Sequence, residues 1–242
     1  MSAQVDTPLS RAALLECLGG LIAGMQHRHP TRVAFDGPDA AGKTTLADEV
    51  ASILRGTGRE VIRASVDGFH RRRAERYARG PDSPEGYYED SFDYRTLRRV
   101  LLEPLGPEGD RSYRRATFDH RSDSPVAEPP ATASADAILL FDGVFLQRPE
   151  LRQVFELCVF VSVSFEETVR RALDRDAALL GSREEVERRY RDRYLPGQRL
   201  YFADVRPREL ADVVVRNDDP SAPVLERVGG RALSPGTDRP AR

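Results

Sequence analysis

Apolar and polar positions alternate along this chain in blocks whose lengths name the elements. Thr31-Arg32-Val33-Ala34-Phe35-Asp36 is a short β-rich run, Arg59 to Val66 is a second that ends at Asp67, and Ala137 to Phe141 is wholly apolar and capped by Asp142. Leu157 to Val163 and Ala211 to Val215 extend the set of short strands. Between them the period lengthens to that of a helix. After Thr44, the residues Leu46, Ala47, Val50, Ile53 and Leu54 fall on one helical face, and Gly56 is a stop. Ser164 with Glu167, and Ser182 with Glu185, have the spacing of capping boxes. They predict one helix running to Leu180, with Gly181 as its stop, and a second running to Tyr194, where Pro196-Gly197 interrupts. Arg11 to Met25 reads as an amphipathic helix with Leu14, Leu15, Leu18, Leu21 and Ile22 apolar and Gly19-Gly20 weakening it; Asp93 to Leu102 is also helical. Apolar strands alternating with helices predict an α/β fold, a parallel sheet sandwiched by helices. Functional residues then gather at the carboxyl ends of the strands.

Other stretches interrupt this rhythm. Gly68 to Glu89 is polar, rich in Arg, and too long for a plain connection, which marks it as functional. Arg111 to Arg121 reads as a small β-hairpin, and Ser122 to Ala135 as a Pro/Ala/Ser loop. Residues 1–9 read as a loose tail, and the Pro/Gly/Arg-rich stretch 225–242 as a disordered one. The organisation is therefore an N-terminal tail and helix over 1–30, one domain over 31–224 with a helical lid insertion at about 175–200, and the tail.

Gly37-Pro38-Asp39-Ala40-Ala41-Gly42-Lys43-Thr44 changes the picture most. Its spacing is that of a phosphate-binding P-loop, and it stands between a strand and a helix as that motif requires. Lys43 is the only lysine among 37 lysine and arginine residues. A flat guanidinium is too broad for a turn whose backbone N–H groups wrap phosphates, and an ammonium fits. The cofactor-binding set is thus Gly37, Asp39, Ala40, Ala41, Gly42, Lys43, Thr44 and Thr45, with ATP as the expected nucleotide. Mg²⁺ is expected on the Thr44 hydroxyl and on Asp142, the strand-ending acid of a Walker B pattern. Asp67, ending the strand after the P-loop helix, is placed to take a proton from a substrate hydroxyl.

The lone lysine also excludes functions. A guanine-reading Asn/Thr-Lys-x-Asp element and Schiff-base chemistry each need a second amine, and the strand lysine plus His-Arg-Asp pattern of protein kinases is missing. A formal net charge of −2 gives no bulk attraction to nucleic acid. No apolar run approaches the ~20 residues of a membrane span. Two lone cysteines, Cys17 and Cys158, suit a reducing, cytoplasmic setting.

Five motifs carry a resemblance to a known family. They are Asp36 through Thr45, then Ser65-Val66-Asp67-Gly68-Phe69-His70, Asp90-Ser91-Phe92-Asp93, Phe141-Asp142-Gly143-Val144, and Arg171-x-x-x-Arg175-Asp176. The chain resembles the uridine kinase–phosphoribulokinase group of P-loop kinases from about Arg32 to Pro220. The resemblance implies ATP-dependent phosphorylation of a primary hydroxyl, with Asp67 as catalytic base alongside Lys43 and Arg175. It implies a lid carrying Arg171, Arg175 and Arg193, and a metal role for Asp142, where the family has Glu. A homo-oligomer is a further expectation from the family. The acceptor implied first is a pyrimidine nucleoside, uridine or cytidine, read by Tyr88, Glu89, Asp90, Phe118, His120 and Arg171. Ungapped pairing puts Tyr87 where the family holds the ribose with an acid, and Phe118-Asp119-His120 replaces the family's Tyr-Asp and nearby His. Two alternatives stay open: a same-fold kinase of another small alcohol, such as a sugar phosphate or vitamin precursor, and an acceptor-independent ATPase or switch. The Arg71-Arg72-Arg73 run is either a clamp for an anionic substrate or a solvated loop, and Asn217 to Pro220 is a candidate edge of the adenine pocket.

Overall fold

A computed structural model describes residues 3–229. The strands are β1 (Ala3–Pro8), β2 (Thr31–Asp36), β3 (Val61–Ser65), the two-residue strands β4 (Ser112–Tyr113), β5 (Phe118–Asp119), β6 (Ser124–Pro125) and β7 (Ala131–Thr132), then β8 (Ile138–Asp142), β9 (Leu157–Ser162), β10 (Val213–Arg216) and β11 (Val224–Val228). The helices are α1 (Arg11–Ala23), α2 (Lys43–Arg55), α3 (Arg73–Arg76), α4 (Pro84–Asp90), α5 (Tyr94–Leu97), α6 (Pro149–Arg152), α7 (Phe165–Leu180), α8 (Arg183–Arg189), α9 (Leu195–Val205) and α10 (Pro207–Leu210).

The main sheet has the order β1-β11-β10-β9-β2-β8-β3. From β10 to β3 every pairing is parallel; β11 and β1 close one edge antiparallel. All residues of β2 and β8 are buried, as strands covered on both faces must be. Side-chain alternation splits them between two cores. Val33, Phe35, Ile138 and Leu140 pack with Leu14, Leu18 and Ile22 of α1 and Leu46 and Val50 of α2. Ala34, Leu139 and Phe141 face the other way, toward Leu97, Phe145, Tyr87 and Tyr201. The register sets Asp142 level with Phe35 on one side and Ser65 on the other, so the acid of β8 lies beside the start of the P-loop and the end of β3.

Several expectations need correction. Residues 3–8 are a strand rather than a loose tail, and β11 covers 224–228, so the tail expected from 225 begins inside the sheet. The N-terminal segment and the domain are thus one unit, held by β1 on β11 and α1 on α2. Residues 230–242 lie outside the described residues. The small sheets pair β5 with β6 and β4 with β7, so the hairpin runs through the stretch read as a Pro/Ala/Ser loop. Pro196-Gly197 does not interrupt: Pro196 stands in the first turn of α9, where its missing N–H costs nothing, and a π turn at Tyr190–Tyr194 joins α8 to α9. Ile53 is partly exposed, and Ala51 takes its place on the buried face of α2.

Candidate active site

The phosphate loop runs from β2 to α2. Gly37 has φ 150 and an added Cβ there would stand 2.2 Å from the Val161 carbonyl oxygen; Gly42 has φ 85 and caps α2 in the left-handed region. Only glycine permits both, and the turn they make points backbone N–H groups inward. Lys43 is buried, and its Nζ donates to the Pro38 carbonyl at 2.5 Å, folded back over the loop. Burial lowers its pKa against the pull of Asp39, Asp36, Asp142 and Asp67.

Beside the loop, the Thr44 hydroxyl donates to Asp142 at 2.6 Å. The other oxygen of Asp142 receives Arg63 from β3 at 2.7 Å, so an arginine on the neighbouring strand fixes the carboxylate. A hydroxyl and a carboxylate are hard oxygen donors of the kind Mg²⁺ takes, in a site where nucleotide phosphates and water would complete the shell. The described residues contain no group of three or more His, Cys, Asp or Glu placed to hold a metal. The donor set fits.

Asp67 lies in the single 3-10 turn Val66–Phe69 after β3. It is exposed at the open cleft, with the cavity walls crowding around it. Desolvation raises its pKa, Asp142 raises it further, and His120, Lys43 and Arg175 pull it down. His70, three residues on, donates Nδ1–H to the Asp67 carbonyl at 2.9 Å, which leaves Nε2 as an acceptor. Its ring packs 4.5 Å from Phe92 and 4.6 Å from His120, and burial lowers its pKa to about 3.

These groups share a cavity of about 840 Å³ lined by the loop, the Asp67 turn, α3, the β5–β6 hairpin, α7, α8 and the π turn after it. Lys43, Thr44, Asp67, Asp142, His120 and Arg175, all expected in the site, face it. The π turn brings Tyr190, Arg193 and Tyr194 to its wall. Arg175 pairs with Asp176 at 2.7 Å and lies 3.3 Å from the Tyr190 hydroxyl. Arg193 is not a free lid arginine: it binds the carbonyls of Gly80, Pro81, Ser83 and Arg76 and so pins the loop before α4.

Five of the six expected acceptor-reading residues are elsewhere. Tyr88 points away, donating to Asp204 at 2.7 Å and lying under the Arg148 guanidinium; the adjacent Tyr87 faces the cavity instead. Glu89 and Asp90 are both paired with Arg79 outside the cavity. Phe118 is buried beneath the hairpin, and only His120 of that segment reaches the cleft. Arg171, also expected on the acceptor, sits on the nucleotide side and donates to the carbonyls of Asn217 at 2.7 Å and Asp218 at 2.9 Å.

That side has its own cavity of about 450 Å³, lined by Ala40 to Thr45, Arg171, Arg175, Asn217, Pro220 and Arg11. Asn217 Nδ2 donates to the Ala41 carbonyl at 2.8 Å, tying β10 to the P-loop. Arg11 was invisible to motif reading because it comes from α1, far away in sequence. Asp39, expected on phosphate, instead accepts from Tyr87 at 2.7 Å and Gln198 at 2.7 Å, which anchors the loop to α4 and α9. Asp36 was quoted only as the first residue of the P-loop motif. It is fully buried, accepts from Tyr201 at 2.5 Å and Gln147 at 3.1 Å, and has its pKa raised by burial.

Strand order and phosphate loop together define a P-loop α/β fold. Within that class the fold is uridine kinase-like. A structure from Bacillus stearothermophilus described as a possible uridine kinase superposes with a TM-score of 0.67 at 24% identity, over 84% of this chain and 97% of that one. A candidate fructose transport system kinase from Silicibacter sp. TM1040 gives 0.66 at 21% identity, over 81% and 95%. Two curated Dictyostelium discoideum proteins are also similar: uridine-cytidine kinase A, 23% identical over 192 residues, and uridine-cytidine kinase B, 24% identical over 155. These matches take in 78% and 64% of this chain but span 36% and 61% of the relatives' own length. No family model matches the chain.

Proposed function

We propose that the protein transfers the γ-phosphoryl group of ATP to a hydroxyl of a small molecule. The observation that carries this reading is Asp67, a carboxylate that shares with Lys43, Thr44 and Asp142 a cavity roomy enough for an acceptor. The acceptor oxygen attacks the γ-phosphorus, the bond from that phosphorus to the bridging oxygen of ADP breaks, and the hydroxyl proton passes to Asp67. The loop N–H groups and the Lys43 ammonium hold the phosphates, and Arg175 faces the same cleft to meet charge on the moving group. Thr44 and Asp142 would hold Mg²⁺, which would supply charge neutralisation at the phosphate oxygens. Tyr190, Arg193 and Tyr194 close the cavity against water.

The relatives' names make the 5′-hydroxyl of uridine or cytidine the first acceptors to try. Of the residues expected to read a nucleoside, His120 alone faces the acceptor cavity, so the reading is firmer for the reaction than for the nucleoside. The test follows ADP release from Mg-ATP with and without hydroxyl acceptors, and the acceptor's mass gain of one phosphoryl unit. ADP release that no acceptor accelerates would replace this reading with a plain ATPase.

A further inference from the structure

Three arginines line the cavity with little acid to meet them: Arg73 and Arg76 of α3, and Arg121 of the β5–β6 hairpin. Arg76 is nine-tenths buried, and its Nε–H has no partner among the described residues. Its one hydrogen-bond partner is Asp123, at 3.4 Å, and that same carboxylate oxygen already receives the Arg73 backbone N–H at 2.7 Å. No acceptor among the described residues takes the side chains of Arg73 or Arg121. The other acids of the cavity are engaged: Asp82 by Arg188, Asp176 by Arg175, Asp142 by Arg63 and Thr44, and Asp39 by Tyr87 and Gln198. Asp67 remains, and it is the base. A chain with a formal net charge of −2 has acids to spare, yet among the described residues Arg73 and Arg121 face the pocket with no acceptor on their side chains, and buried Arg76 has only a long ion pair to Asp123.

A buried donor without a partner is costly, and a planar guanidinium is matched by an oxyanion. We propose that the acceptor is itself an anion, and that Arg73, Arg76 and Arg121 bind its phosphate or carboxylate group while its hydroxyl lies at Asp67. This rests on the phosphoryl-transfer reading and narrows its substrate class to hydroxyl compounds such as sugar phosphates, mononucleotides or hydroxy acids. It also accounts for the loss of nucleoside-reading residues from the cavity. His70 and His120 lie with ring centroids 4.6 Å apart in the same cavity wall, so they would line part of the acceptor.

Two measurements test it. Inorganic phosphate is titrated calorimetrically into protein whose P-loop is filled with a non-hydrolysable ATP analogue and Mg²⁺. One phosphate should bind per chain, and Arg73→Ala and Arg121→Ala, both at exposed positions that fold safely, should each weaken it about ten- to a hundredfold. Separately, neutral nucleosides and sugars are compared with their monophosphates and with hydroxy acids in the transfer assay. An anionic compound should be preferred in kcat/KM, and its class separates phosphate from carboxylate. Arg121→Ala should raise its KM far more than it lowers kcat. Phosphate binding that is absent, or unchanged in both variants, overturns the proposal, as does a neutral acceptor preferred over its anionic forms. If no compound is phosphorylated while phosphate binding is lost in the variants, the transfer reading falls and the anion subsite stands.

Discussion

Thr44 and Asp142 meet at 2.6 Å, although 98 residues separate them, because parallel pairing brings the end of β8 beside the P-loop. Each is expected to give one oxygen to the same Mg²⁺. Thr44→Ala and Asp142→Ala should each raise the Mg²⁺ concentration for half-maximal activity by about tenfold or more. An unchanged half-saturation in both variants would take the pair out of the metal site.

Lys43→Arg keeps the charge and should still lose most activity. The ammonium lies folded into the loop against the Pro38 carbonyl, in a narrow, nearly buried space between the two cavities. A guanidinium cannot occupy it without displacing the γ-phosphate. Losing one preorganised electrostatic contact costs about 10²–10³ in kcat. A kcat within a factor of about three of the parent would contradict the role.

Tyr87→Phe should loosen the P-loop. Its hydroxyl and Gln198 both donate to Asp39, so one loop carboxylate holds α4 and α9 against the nucleotide side. Removing a hydrogen bond to a charged group costs about 1.5–3 kcal/mol. Thermal unfolding should move down accordingly, and the KM for ATP should rise. Unchanged values of both would make the contact incidental.

What the sequence made legible follows from what kind of signal each feature leaves. The P-loop, Asp67 and Asp142 were readable because each is tied to the end of a strand, and strand ends show as breaks in apolar runs. The acceptor side was not. Its wall is assembled from α3, the hairpin and the π turn, segments with no period of their own, and register within them decides the face. Tyr87 and Tyr88 are adjacent, yet one enters the cavity and the other binds Asp204. Glu89 and Asp90 were claimed by Arg79, a pairing no spacing announces. β1 and β11 were read as tails because each is short and carries polar residues among its apolar ones, so composition there looks like linker.

Asp67 yields the most discriminating prediction, through pH. Desolvation raises its pKa above the ordinary aspartate value of 3.8, and a base must be unprotonated to act. Activity should therefore fall on the acid side, with an inflection above 3.8, when the proton is regained. His70 cannot be the cause of that limb, since its pKa lies near 3 and it stays neutral throughout. Stability carries the opposite sign. A raised native pKa means the folded chain holds the proton more tightly than the unfolded chain does. The charged group therefore costs stability, increasingly as pH rises from 3.8 to the raised native value, and by a constant amount above it. Asp67→Asn removes both effects. It should lower kcat about 10²–10⁴-fold with the ATP Kd nearly unchanged. It should also raise Tm at neutral pH, with the gain shrinking toward zero as pH falls below 3.8. The paired measurement is transfer rate and Tm across pH for both proteins. A turn-capping aspartate would tolerate the amide in both respects. Full transfer activity in the Asn variant, with Tm unmoved, would remove Asp67 from the chemistry.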